Sequence, residues 1–214
     1  MSINFSKHDT ILFIGDSITD CGRRLDIQRK MGNGYVFILY SWLSALYSEL
    51  ELRFINKGIS GNRVRDLLAR WKKDCLKFKP NIISILIGVN DTWRRFDLKD
   101  PTSPIDFEKD YKNILEQTQK NIQSKLVLCE PFLLSCGNVT KEWHEDLEEK
   151  IKVVHKLAAD FNAILVPLNQ IFLNAVKKAP PQYWAEDGVH PTPAGHALIA
   201  QSWIKYVLKE PNVI

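Results

Sequence analysis

Five short apolar runs, each closed by turn-forming residues and separated by segments with helical spacing, leave this chain few architectures to adopt. Residues 10–14 stop at Gly15, residues 52–55 at Asn56-Lys57-Gly58, and residues 82–87, the most continuously apolar stretch, at Gly88. Residues 125–129 stop at Glu130-Pro131, and residues 163–166 form the shortest run. Continuous apolar runs without polar alternation suit strands buried on both faces of a parallel sheet. Between them, residues 35–50, 63–78, 107–122, 141–161, 169–178 and 193–208 read as helices. In 63–78 the apolar positions Val64, Leu67, Leu68, Trp71 and Cys75 fall on one helical face. Strands joined by helical crossovers predict an α/β fold, a parallel sheet with helices on both faces. No linker, internal repeat or shift in composition divides the 214 residues, so a single domain over 1–214 is expected. In such sheets ligands bind beyond the carboxyl ends of the strands, which is where candidate residues are to be sought.

Bulk chemistry removes several classes of function. The net charge is +4, but acids and bases interleave, and the basic clusters are pairs such as Arg23-Arg24 and Arg94-Arg95. A nucleic-acid partner would call for a concentrated basic stripe. The four cysteines form no CxxC pair and no metal-ligand spacing with histidine; Cys75 and Cys129 read as buried thiols in a reducing compartment. The first ten residues lack an apolar signal core, and no apolar stretch reaches about 18 residues. A cytoplasmic location without a membrane partner is therefore expected.

The strand ends carry the candidate chemistry. Gly15-Asp16-Ser17 follows the first strand and places a hydroxyl where the chain leaves the sheet; a serine needs a base before it acts as a nucleophile. The triplet is equally an ordinary polar turn. The stretch 56–62 after the second strand carries Gly58 and Gly61, which permit positive φ and a close approach of backbone N–H to a ligand. After the third strand, the Asn90 side-chain amide is a possible oxyanion donor, or an Asx turn. Near the C-terminus, Asp187 lies three residues before His190, a spacing that lets the carboxylate accept the imidazole Nδ1–H and leaves Nε2 facing the serine. Metal binding competes for this pair, but no further Cys, Glu or His completes a ligand set, so no metal or other cofactor is expected. His196, on the final helix, is expected to pack or face solvent. No GxxxxGK[ST] loop supports phosphoryl transfer.

Taken together, GDSITD around Ser17, ISGNR around Gly61, GVND around Asn90 and DGVHP around His190 resemble the four blocks of the SGNH branch of the GDSL esterase/lipase family. Ile18 stands where the family name has leucine. The resemblance implies the SGNH hydrolase fold, a three-layer α/β/α sandwich with a flavodoxin-like five-stranded sheet of order 2-1-3-4-5. It implies Ser17, Asp187 and His190 as a catalytic triad, with an oxyanion hole built from the Ser17 and Gly61 backbone N–H groups and the Asn90 side chain. The longer stretches IGDSITDCGR, NKGISGNRVRDLLARW and IGVNDTWR are similar to those of bacterial SGNH acetylxylan esterases. A small-molecule ester or acetylated oligosaccharide is then the implied partner, and a homo-oligomer the implied assembly. Asp16, Trp93, Arg94 and Trp184 flank the catalytic blocks and are candidate substrate contacts; the tryptophans alternatively pack in the core. The family also cleaves lysophospholipids and thioesters, so longer acyl chains are the alternative. No run of consecutive apolar residues before Asp187 suggests a lid. A silent sugar-binding module would have lost a triad member, and none is missing.

Overall fold

The computed structural model describes residues 2–208; Met1 and residues 209–214 of the expected 1–214 span lie outside the described residues. Strands β1 (Thr10–Gly15), β2 (Arg53–Asn56), β3 (Ile82–Leu86), β4 (Lys125–Cys129) and β5 (Ile164–Val166) form one parallel sheet in the order β2-β1-β3-β4-β5. This is the order implied by the family resemblance. Among the described residues six α-helices connect the strands, α1 (Ser17–Asp20), α2 (Tyr35–Leu46), α3 (Val64–Asp74), α4 (Val89–Asp97), α5 (Pro104–Asn121) and α6 (Lys141–Asp160), and three follow β5, α7 (Leu168–Ala175), α8 (Pro181–Trp184) and α9 (Pro193–Leu208).

Successive strand side chains point to opposite faces, and both faces are apolar. Ile11 and Phe13 of β1 pack with α2, α7 and α9, whereas Leu12 and Ile14 pack with α3, α5 and the second half of α6. The result is three layers. Each fully buried Leu, Ile or Phe contributes about 1.5–3 kcal/mol, so the two apolar faces are the main stabilising term. The two largest core side chains also satisfy their polar atoms: Trp71 Nε1–H donates to Thr118 Oγ1 at 3.0 Å and Trp203 Nε1–H to Ser84 Oγ at 3.0 Å.

Helix boundaries depart from expectation in interpretable ways. Stretches 35–50 and 63–78 each break into an α-helix followed by a short 3₁₀ turn, Ser48–Leu50 and Leu76–Phe78. Each turn ends at a residue with positive φ, Glu51 (49°) or Lys79 (47°), a left-handed stop that periodicity does not reveal. Helix α5 begins at Pro104 rather than 107, because proline is tolerated in the first turn and the Ser103 hydroxyl accepts the Asp106 N–H.

The chain runs from β1 outward to β2 and then returns across β1 to β3. The crevice at this topological switch lies between the carboxyl ends of β1 and β3. Ser17 follows β1 and Asn90 follows β3, so both reach it from opposite sides.

Candidate active site

Ser17 is the first residue of α1 and stands half-buried. The preceding Asp16 is buried, and its Oδ1 accepts the Ile18 N–H at 3.0 Å, which fixes the turn. The β2–α3 loop is pressed against α1. A Cβ on Gly58 would lie 2.1 Å from the Asp20 nitrogen, so only glycine fits there. Asn56 completes the contact: its amide donates to Thr19 O at 2.7 Å and Met31 O at 2.9 Å, and its Oδ1 accepts the Gly58 N–H. Gly61 has φ +81°, open space around its α-carbon, and an N–H that donates to no protein acceptor among the described residues.

Helix α4 gathers three of the sequence-derived candidates. Asn90, Trp93 and Arg94 sit at i, i+3 and i+4 and share one face. Asn90 Nδ2 donates to Asn62 O at 3.1 Å, which spends one amide proton and leaves the other. Arg94 donates to Asn90 Oδ1 at 3.4 Å and holds the amide's orientation. The neighbouring Asp91 is fully buried and takes the Val64 N–H on both oxygens, at 3.1 and 3.3 Å. Burial pushes its carboxyl up to about 7, against the pull of that N–H and of the nearby Lys150.

The loop at 185–191 brings in the imidazole. Asp187 Oδ1 accepts the backbone N–H of His190 at 2.7 Å and of Val189 at 2.9 Å, while Oδ2 meets His190 Nδ1 at 2.7 Å. Burial works to raise the Asp187 pKa, but these bonds and the imidazole outweigh it and hold the carboxyl below the ordinary range. With Nδ1–H donated to a carboxylate, Nε2 presents its lone pair, and Ser17 Oγ lies 3.0 Å from it. The loop is braced by Leu134 N–H to Gly188 O at 2.9 Å.

The structure thus brings together Ser17, Gly61, Asn90, Asp187 and His190 with Trp93, whose ring centroid is 5.7 Å from that of His190. Trp93 also packs on Trp143, an α6 residue that the sequence motifs do not single out, at 5.8 Å. Trp184 stands elsewhere: its Nε1–H donates to Ala179 O at 3.2 Å and its ring meets Tyr183 edge-on. Asp16, covered by the turn it caps, offers no exposed carboxylate. His196 packs rather than facing solvent. Its Nδ1 accepts the Tyr35 N–H at 3.2 Å, its Nε2 lies 3.3 Å from Cys21 Sγ, and burial draws its pKa down to about 4. Among the described residues no three His, Cys, Asp or Glu side chains are grouped to hold a metal, and no helix is long and apolar enough to cross a membrane.

Asp16 also supplies a pH-dependent prediction. Burial pushes its carboxyl up to about 7, with the Ile18 N–H and His190 pulling the other way. The folded value lies above the unfolded value near 4, so the stabilisation is complete below about pH 4 and lost as pH rises through about 7. Asp16→Asn keeps an acceptor for Ile18 and cannot ionise. Relative to wild type, the variant should gain roughly 4 kcal/mol of stability between pH 4 and pH 8. Urea midpoints across that range check this, and a difference that stays flat with pH contradicts a protonated Asp16.

Comparison with known proteins identifies the family. The model of the GDSL-like lipase/acylhydrolase family matches residues 13–198. An acetylxylan esterase from Geobacillus stearothermophilus is 36% identical over 207 residues, covering 93% of this chain and 94% of that protein. A crystal structure from Parabacteroides merdae, described as a GDSL-like lipase, superposes with TM-score 0.92 at 38% identity and full coverage of both chains. The Geobacillus acetylxylan esterase superposes with TM-score 0.85 at 34% identity over 94% of each chain. Catalytic mutants of that enzyme replace a serine, an aspartate and a histidine three positions after the aspartate. With a family match across most of its length and relatives of more than 30% identity over nearly all of it, this chain belongs to the GDSL-like lipase/acylhydrolase family and is a carboxylic-ester hydrolase.

Proposed function

We propose that the chain removes acetyl and other short acyl groups from acetylated sugars, xylo-oligosaccharides foremost, by a Ser-His-Asp double displacement. The observation that carries this is the hydrogen-bonded series Ser17 Oγ, His190 Nε2, His190 Nδ1, Asp187 Oδ2 at the mouth of the β1–β3 crevice. The same three residue types, with the same spacing of aspartate and histidine, are the positions replaced in catalytic mutants of the Geobacillus acetylxylan esterase.

Ser17 Oγ attacks the ester carbonyl carbon as His190 Nε2 takes its proton. The carbonyl π electrons move to oxygen, and that oxyanion is held by the Ser17 and Gly61 N–H groups and the free Asn90 amide proton. Collapse breaks the bond to the alcohol, which leaves with the proton from His190. Water, deprotonated by His190, then attacks acyl-Ser17 in the same way, releasing the carboxylic acid and restoring the serine. No metal or organic cofactor enters. Trp93, beside His190, supplies an aromatic face for a sugar ring, and Arg94 lies over that indole at 5.4 Å.

Acyl-chain length tests the substrate assignment. With 4-nitrophenyl esters, kcat/KM for acetyl should exceed that for octanoyl by about tenfold or more. Release of acetate from acetylated xylo-oligosaccharides should also outpace release from other acetylated glycans. A preference for octanoyl overturns the assignment in favour of a lysophospholipase or thioesterase.

A further inference from the structure

The β1–α1 turn that carries Ser17 and the β2–α3 loop that carries Gly61 are separate pieces of chain. An oxyanion hole drawn from both works only if their relative position is fixed to a fraction of an ångström. Arg70, on α3, touches both. Its Nη2 donates to Gly15 O at 3.1 Å, two residues before Ser17. Its Nη1 donates to Lys57 O at 2.9 Å, and its Nε to Asn62 Oδ1 at 2.7 Å, the residue next to Gly61. Nη1 also reaches Asp74 Oδ2 at 3.2 Å, a carboxylate that Lys57 Nζ approaches at 3.5 Å. The Arg70 side chain is only 13% exposed.

This differs from a surface ion pair. Three of the four acceptors belong to the turn and loop that frame the site, and the fourth balances the charge. Gly15 O already accepts the Ile59 N–H at 3.1 Å, so Arg70 adds a second, charge-assisted tie at the same carbonyl. Only a planar guanidinium has donors directed at three divergent acceptors together; a lysine ammonium on the same stem cannot span them. We propose that Arg70 is a positioning residue that locks the nucleophile turn to the oxyanion loop, acting on the transition state while touching no substrate. The inference rests on the proposed mechanism, in which the Ser17 and Gly61 N–H groups bind the oxyanion.

Both acylation and deacylation pass through that oxyanion, so a displaced loop lowers kcat whichever step limits it. Misplacement by about 1 Å costs on the order of 100-fold. For Arg70→Met the expected result with 4-nitrophenyl acetate is a fall in kcat of about 30–100-fold with KM nearly unchanged, and Arg70→Lys should recover part of it. Asn62→Ala removes only the Nε partner and leaves the core intact; kcat should fall a few-fold. Combining it with Arg70→Met should cost no more than Arg70→Met alone. Inactivation of Ser17 by a 4-nitrophenyl phosphonate, whose oxygen uses the same donors, should slow in proportion.

Ser17→Ala and Asn90→Ala run beside these variants separate the two ideas. If either of those keeps full rate, the proposed mechanism fails. If they lose activity while Arg70→Lys and Asn62→Ala keep wild-type kcat and phosphonylation rates, the site stands and the role of Arg70 is overturned. A lowered melting temperature with kcat unchanged at 25 °C overturns it equally, since it marks a tie that serves stability alone. Should Arg70→Met not fold, Arg70→Lys and Asn62→Ala decide between the same outcomes.

Discussion

Ser17→Ala should lower kcat for 4-nitrophenyl acetate by about 10⁶-fold while leaving the fold in place. The loss is large because the hydroxyl is the atom that becomes acylated; without it the two-step route closes, and only water attacking an ester held by the oxyanion donors remains. The fold should survive because Ser17 is half-buried and its Oγ has one partner among the described residues, His190 Nε2. The helix that begins at Ser17 is capped by Asp16 Oδ1 and closed by Cys21 N–H to Ser17 O at 2.9 Å, neither of which uses the hydroxyl. Stability should therefore change by less than about 1 kcal/mol. Rapid mixing gives a second readout: a burst of 4-nitrophenol from wild type, if deacylation is the slower step, and none from the variant. A Ser17→Ala protein that hydrolyses the ester at the wild-type rate removes Ser17 from the mechanism.

The strands were legible because a buried parallel strand has few ways to be written. Residues 82–87 are apolar throughout but for Ser84, and both faces of β3 are covered. Candidate residues were legible because chain turns at the strand ends must be short and polar, so Asp16-Ser17, Gly61 and Asn90 stand out against apolar runs. Helix α4 has only a faint periodic signal because it is nine residues long, mostly polar, and follows Gly88 at φ +130°. Its signal is Val89, Trp93 and Phe96 at i, i+4 and i+7, three apolar residues among charges, and that spacing alone puts Asn90 on the same helix as Trp93 and Arg94. Arg70 and Asp91 were not legible in principle. Each acts by reaching a backbone group distant in sequence, Gly15 O in one case and Val64 N–H in the other. Nothing in residue type or local spacing announces such a contact. For Trp184 the sequence leaves both a substrate contact and packing open, and in the fold its indole N–H bonds back to Ala179 O.

The second large effect is expected from Asp187→Asn, and the local hydrogen bonds dictate how it arises. Asp187 Oδ1 is committed to two backbone donors, the N–H groups of His190 and Val189, so an asparagine must keep its carbonyl oxygen there. Its NH₂ group then replaces Oδ2 against His190 Nδ1, where it can only donate. The imidazole answers by moving its proton from Nδ1 to Nε2, and the nitrogen 3.0 Å from Ser17 Oγ becomes a donor instead of the base. Geometry is preserved and chemistry is inverted. A fall in kcat of about 10⁴-fold is expected, with KM little changed, because substrate contacts are untouched. Raising the pH should not restore the rate, since the wrong tautomer and not a bound proton blocks the reaction. In wild type the carboxyl is held below its ordinary range, so at neutral pH it stays ionised and accepts the imidazole Nδ1–H. Nitrogen-15 NMR of the His190 ring reads the tautomer directly and should report Nε2–H in the variant and Nδ1–H in wild type. An Asp187→Asn enzyme within about tenfold of wild type would falsify the orienting role of Asp187 and leave His190 to act without it.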